Sequence, residues 1–179
     1  MPWSTSAHAL NLLGSHDTPP LASVAGSVEI AVVGVGLLMC YPGDPSVLYG
    51  DEMGLTGTNG DQARTPMPWR ASEWDEELHD AYRALIRIRR ASPALAAGGF
   101  RWVHVADDTL GYLRESATER LLVQASRASH APVWLPAAVL AVGGDAEVVY
   151  ESDKLDRQPD GSVLLPGEGP ALRIWRLDG

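Results

Sequence analysis

The stretch that most constrains this chain is Val28 to Cys40, VEIAVVGVGLLMC. Its single charge, Glu29, sits at the start, and the rest is apolar on nearly every side. Ser27 suits an N-cap, and Glu29 is favourably placed at a helix N-terminus. Tyr41-Pro42-Gly43-Asp44-Pro45 stops the helix. A helix apolar all round must be buried. The apolar run is about a dozen residues long and a bilayer needs about 20, so it reads as a core helix. A strand-like run, Ala9 to Leu13, precedes it, and a β-prone run, Ser46 to Tyr49, follows. Strand, helix, strand predicts one βαβ crossover with parallel, buried strands.

Polar groups follow each strand. After the first come Gly14-Ser15-His16-Asp17-Thr18-Pro19. In α/β folds the reacting groups sit at strand C-termini, so His16-Asp17 is the leading candidate site. A strand-end carboxylate can steady a developing cation, and the imidazole beside it can hydrogen-bond a substrate oxygen. The dipeptide alone is a weak signal, since Ser, His and Asp near a turn more often just cap it. Thr18-Pro19-Pro20 opens a short helical turn that Gly26 breaks. Gly50-Asp51-Glu52 follows the second run; such carboxylates often just accept backbone N–H groups.

Met53 to Arg70 is a long segment rich in Gly, Thr, Asn and Pro. Loops of that length are usually functional or disordered. Asp61, Arg64 and Trp69 can contact a ligand there, or the loop folds over the strand ends. Glu73 to Arg90 has helical spacing in Trp74, Leu78, Tyr82, Leu85 and Ile88, with Ser72 as cap and Ser92-Pro93 as stop. Arg87, Arg89 and Arg90 suit the dipole at its end.

Composition changes at Gly98-Gly99. Short strands are expected at Phe100–Val105, Thr109–Glu115, Arg120–Ser126, Ala131–Leu135, Glu147–Tyr150, Ser162–Leu165 and Ala171–Leu177. Asp107-Asp108, Gly143-Gly144 and Pro159-Asp160-Gly161 separate some of them. Such spacing indicates an antiparallel sandwich.

The formal net charge of −9 without a basic cluster argues against nucleic acid. The one cysteine, Cys40, allows no disulfide framework, which favours a reducing, cytoplasmic setting. No membrane segment is expected. His8, His79, His104 and His130 are scattered, so no metal site is expected, and no cofactor motif is visible. Six tryptophans against one phenylalanine point to core packing or to sugar stacking.

Taken in order, NLLGSHDTP, then GLLMCYPGDPSVLYGDEMGL, then GDQARTPMPW, then a Trp-bearing helix and a small β-domain resemble the C-terminal portion of an α-amylase-family enzyme, glycoside hydrolase family 13. The group it resembles is that of the α-glucosidases, cyclomaltodextrinases and neopullulanases. The resemblance runs in detail from about Leu10 to Arg90. It implies α/β then all-β architecture, with residues 1–98 the last part of a (β/α)8 TIM barrel (strands seven and eight, helices seven and eight) and residues 99–179 a small antiparallel β-sandwich. It implies that Asp17 matches the carboxylate that stabilises the transition state. His16 matches the histidine that hydrogen-bonds sugar hydroxyls, Arg64 is a substrate-side contact, and the Asp51-Glu52 pair is mainly structural. The substrate implied for an intact enzyme is an α-glucan oligosaccharide.

Two features depart from the family. Pro20 stands where close relatives often carry Arg. More seriously, retaining glycosidases need a nucleophile about 5 Å from a general acid/base. In this family those groups follow strands four and five, and no segment here matches either. Two strands cannot close a barrel. The expectation is therefore a fragment, inactive by itself: a truncated product, a start-site miscall or half of a split enzyme whose partner polypeptide supplies strands one to six. The alternative is a non-catalytic scaffold or glucan-binding module that uses Trp102, Trp134 and Trp175; against it, those tryptophans pack the sandwich core and its junction with the barrel.

Overall fold

In the computed structural model, which describes residues 2–140 and 146–177, the chain divides into two units, Met1–Arg87 and Ile88–Gly179. The first unit opens with a one-turn helix, α1 (Trp3–Ser6). Then come strand β1 (Leu10–Leu12), helix α2 (Leu21–Ala25), helix α3 (Val28–Cys40) and strand β2 (Asp44–Ser46).

Helix α3 has the bounds its composition predicts. Ser27 Oγ accepts the Ile30 N–H at 3.3 Å, satisfying one free donor of the first turn. Glu29's own backbone N–H, and then a hydrogen bond from the Ser27 side chain, hold its carboxyl below its ordinary value. Ala31, Val35 and Cys40 are completely buried, and Val33, Leu38 and Met39 nearly so.

β1 and β2 pair in parallel, Leu10 with Asp44, Asn11 with Pro45 and Leu12 with Ser46. The crossover is as expected, but the second strand is not at Ser46–Tyr49. It lies inside the segment read as a breaker, and Gly43 explains why. Its φ is +117°, and a Cβ there would stand 2.5 Å from the Ala9 carbonyl oxygen. Only glycine lets the chain turn so close to β1. The next residue then donates from Asp44 N to Ala9 O at 2.8 Å, and Asn11 Nδ2 donates to Pro42 O at 2.8 Å. Pro45 is tolerated because the sheet has two strands and both are edges. For the same reason β1 is not the buried strand its sequence suggested: Leu10 is 67% exposed and Leu12 50%.

A short helix, α4 (Gly60–Ala63), lies in the long loop, capped by Asn59, whose Oδ1 accepts the Gln62 N–H at 2.9 Å. Helix α5 (Glu76–Ala91) follows. It starts later than its periodicity suggested. Asp75, not Ser72, is its cap: Asp75 Oδ1 accepts the Leu78 N–H at 3.0 Å, while residues Ala71–Glu73 form a single 3-10 turn. Leu78, Ala81, Tyr82 and Leu85 are its buried residues.

In the second unit, Ser92 does not only stop a helix. Its Oγ accepts the Leu95 N–H at 3.1 Å and starts helix α6 (Pro93–Ala97). Seven strands follow the predicted runs closely: β3 (Gly99–Val105), β4 (Thr109–Glu115), β5 (Arg120–Ser126), β6 (Val133–Leu135), β7 (Ala146–Tyr150), β9 (Val163–Leu165) and β10 (Ala171–Leu177). A two-residue strand, β8 (Asp156–Arg157), and a one-turn helix, α7 (Ala137–Leu140), were not foreseen. The Gly143-Gly144 turn lies outside the described residues.

The strands make a five-stranded sheet, ordered β3-β4-β5-β10-β7, and a three-stranded one, ordered β6-β9-β8, with antiparallel pairing throughout. Leu113, Leu122, Trp175 and Leu177 of the first sheet share one apolar cluster with Leu135, Val163 and Leu165 of the second. Trp175 is fully buried, with Nε1 donating to Asp153 O at 3.0 Å. Arg114 is buried too. Its guanidinium donates to the carbonyls of Leu95 at 3.1 Å, Gly98 at 3.1 Å and Gly99 at 3.2 Å, tying α6 and the start of β3 to β4. Burying a cation is costly unless its donors are satisfied.

Candidate functional site

The chain leaves β1 through Leu13 and Gly14 into a tight turn, Ser15 to Thr18. Thr18 Oγ1 accepts the Ser15 N–H at 2.8 Å, and Thr18 N donates back to Ser15 O at 3.1 Å. Ser15 Oγ accepts the Asp17 N–H at 3.3 Å. These local bonds hold the backbone under His16 and Asp17 and leave both side chains in solvent, 73% and 69% exposed.

His16 Nε2 is 3.1 Å from Asp17 Oδ2. Arg64 comes from the far end of the long loop, after α4, and its Nη2 is 3.3 Å from Asp17 Oδ1. Its Nη1 is 3.5 Å from Asp61 Oδ1. The three residues singled out by sequence thus stand together around one carboxylate. Asp61 is in the same cluster. Trp69 is 83% exposed. Exposed ion pairs contribute at most about 1 kcal/mol, so these side chains are held loosely enough for a ligand hydroxyl to take a place among them.

The floor of the site is Asp51, which is 2% exposed. Its Oδ1 accepts the Leu21 N–H at 3.0 Å, at the start of α2. A Cβ on Gly14 would stand 2.9 Å from its Oδ2. One buried carboxylate therefore touches both sides of the segment that carries His16 and Asp17. Burial pushes the Asp51 carboxyl up, the Leu21 N–H pulls it down, and the nearby Glu52 charge raises it. Burial, and then these same two carboxylates, push the Tyr82 phenol up. Glu52 Oε2 is buried with no hydrogen-bond partner among the described residues.

The neighbouring loops are tied to one another and line a groove of their own, whose lining does not include His16, Asp17 or Arg64. Tyr49 donates its hydroxyl to Thr65 O at 3.1 Å, bracing the chain next to Arg64. Gly57 N donates to Ser23 Oγ at 2.9 Å, and Gln62 Oε1 accepts the Thr58 N–H at 2.7 Å. Pro19, Ser23, Thr58 and Gln62 help line an open groove of about 600 Å³. Sequence reading singled out His16, Asp17 and Arg64, which the fold brings together; the Tyr49, Ser23 and Gln62 contacts carried no signal there. The Ser-x-x-Thr spacing at Ser15 and Thr18 was the one local signal for the turn. Among the described residues, no three His, Cys, Asp or Glu side chains are grouped to hold a metal ion, and no helix is long and apolar enough to cross a membrane.

Known proteins resemble both units. No protein-family model matches the chain. A cyclomaltodextrinase of Geobacillus thermopakistaniensis is 32% identical over 134 residues, 73% of this chain and 23% of that protein. A maltogenic alpha-amylase of Bacillus acidopullulyticus is 38% identical over 99 residues, 55% of this chain and 17% of that protein. In three dimensions, the Nostoc punctiforme debranching enzyme, crystallised and soaked with acarbose, superposes with a TM-score of 0.76 and 30% identity. It covers 97% of this chain, which spans 34% of that structure. The chain thus spans about a quarter or less of the curated relatives it matches.

Proposed function

We propose, on the premise that this chain resembles the C-terminal portion of α-amylase-family enzymes (glycoside hydrolase family 13), that it carries one part of the active site of a retaining glycosidase acting on α-glucans and maltooligosaccharides. The observation that carries the reading is the convergence on Asp17. His16 and Arg64 reach its two oxygens at 3.1 and 3.3 Å, although Arg64 lies 47 residues away.

Asp17 is the carboxylate that stabilises the transition state. Cleavage of a glycosidic bond develops positive charge on the sugar ring, and a fixed anion beside it is worth most at that moment. His16 hydrogen-bonds a hydroxyl of the same sugar. Arg64 holds Asp17 from the substrate side and meets the substrate in turn. In this reading β1 and β2 are strands seven and eight of a (β/α)8 barrel, α3 and α5 are helices seven and eight, residues 1–98 are barrel, and residues 99–179 form the C-terminal β-sandwich.

The 179 residues supply one of three carboxylates. The nucleophile and acid/base of a retaining enzyme have no counterpart in them, so the polypeptide by itself hydrolyses nothing. A polypeptide carrying strands one to six completes the site. We place the protein in the cytoplasm on the strength of its one buried thiol, Cys40. The test is release of glucose or maltose from maltotriose and pullulan. The chain alone gives none, mixing with a strands one-to-six polypeptide of a relative gives turnover, and Asp17→Asn abolishes it. Turnover by the chain alone, or unimpaired turnover with Asp17→Asn, overturns the reading.

A further inference from the structure

We propose that the second unit holds a separate α-glucan-binding groove, with Trp134 as its stacking plate and Asp160 and Gln158 as its hydroxyl-binding rim. The choice of α-glucan over other glycans rests on the function proposed above. The groove itself rests on its own geometry.

Strand β6 alternates. Leu135 is buried in the apolar cluster and Val133 packs against it, so Trp134 between them faces outward, 56% exposed. A core role would have placed this ring inward, as it does Trp175. The turn from β8 to β9 rises next to it. Gln158 N donates to Ser162 O at 2.8 Å and Gly161 N to Gln158 O at 2.9 Å, which fixes the turn. Asp160 Oδ1 accepts both the Ser162 N–H at 2.9 Å and the Ser162 hydroxyl at 2.6 Å. The Ser162 hydroxyl, the Ser162 N–H and the residue's own N–H hold the Asp160 carboxyl below its ordinary value, and the residue is exposed, so a ligand hydroxyl can reach the carboxylate. Gln158 donates to Asp156 at 3.0 Å through Nε2, which leaves its Oε1 as an acceptor.

Trp134, Pro136, Gln158, Pro159, Asp160 and Ser162 line an open groove of about 650 Å³, in the size range of small-molecule sites. An aromatic face beside planar acceptors suits a pyranose. The C–H face of the ring stacks on the indole, and the equatorial hydroxyls reach the carboxylate and amide. The anionic rim disfavours phosphates. A proline-rich peptide is the other ligand that docks on aromatic plates, but its grooves are aromatic-lined, and here a single ring is present.

The full chain is titrated with maltoheptaose, cellohexaose and a proline-rich peptide, followed by calorimetry and Trp fluorescence. Maltoheptaose binds in the millimolar range. Trp134→Ala weakens it by about tenfold, the loss of one stacked ring, and Asp160→Asn weakens it severalfold. Trp3→Ala, on a half-exposed ring elsewhere, changes nothing. Asp17→Ala also leaves this binding intact, which separates the groove from the first site. Asp160 lies on an exposed turn, so its variant decides the matter if Trp134→Ala unfolds. Failure of all ligands to bind, or sugar binding lost in Asp17→Ala and kept in Trp134→Ala, overturns the groove and leaves the proposed function standing. Trp134-dependent binding of cellohexaose or of the peptide, without maltoheptaose, overturns the α-glucan assignment.

Discussion

Asp51 Oδ1 accepts the backbone N–H of Leu21 at 3.0 Å, 30 residues away in the chain, and its other oxygen faces Gly14. The bond joins the turn after β2 to the start of α2. It sets the height of the loop on which His16 and Asp17 stand, without touching either.

Replacing Asp51 by Ala leaves the Leu21 N–H buried and unpaired. The expected loss is about 1–3 kcal/mol in urea denaturation. Asp51→Asn keeps an acceptor oxygen and costs less.

The same residue gives a pH dependence. Its folded pKa is raised above 3.8, with burial the main cause. Between 3.8 and the raised value, the folded state binds more protons than the unfolded one. Stability from this group therefore falls as pH rises through that window, then stays level above it. The urea midpoint of the wild-type chain relative to Asp51→Asn should drop across the window. A relative midpoint that rises with pH would sink the assignment.

Gly14→Ala tests the close approach beneath the site. The new Cβ meets Asp51 Oδ2 at 2.9 Å, and that carboxylate is anchored by Leu21. An anchored neighbour cannot give way cheaply, so the expected cost is about 1–3 kcal/mol, read as a lowered melting temperature.

Arg64→Ala separates stability from function. Its ion pair with Asp17 is exposed on both sides, so unfolding free energy should move by less than about 1 kcal/mol. Turnover in the strands one-to-six mixture should fall by at least about tenfold, since one charged contact to substrate or Asp17 is lost. Equal activity with a changed melting point would show a structural role instead.

Arg114→Met removes the donors to the buried carbonyls of Leu95 and Gly98 and to the part-buried carbonyl of Gly99. Although Met fills much of the volume, those acceptors lose their partner. A loss of about 1–3 kcal/mol is expected, the cost of buried carbonyls left without a donor. Denaturation followed by the near-ultraviolet signal of the buried Trp175 reports it.

Residue order by itself determined a good deal. The apolar composition of Val28–Cys40 beyond Glu29, with Ser27 before it and Pro42 after, is a local cause, and the helix has those bounds. The short runs Thr109–Glu115, Arg120–Ser126 and Ala171–Leu177, set off from their neighbours in the sequence, became strands of the same length. His16, Asp17 and Arg64 were singled out through the order of motifs around them, not through their own spacing, and the fold brings them together.

Contacts between distant segments decided the rest. β2 begins at Asp44 because Gly43 can approach the Ala9 carbonyl, and no local propensity records the nearness of another strand. Asp51 reads as one more turn carboxylate until Leu21 and Gly14 are seen against it. Trp134 and Trp175 are the same residue type in similar runs. Trp175 is buried and Trp134 faces solvent because burial depends on which side of a strand meets the other sheet. A sequence states the alternation, and only the packed pair of sheets chooses the inner face.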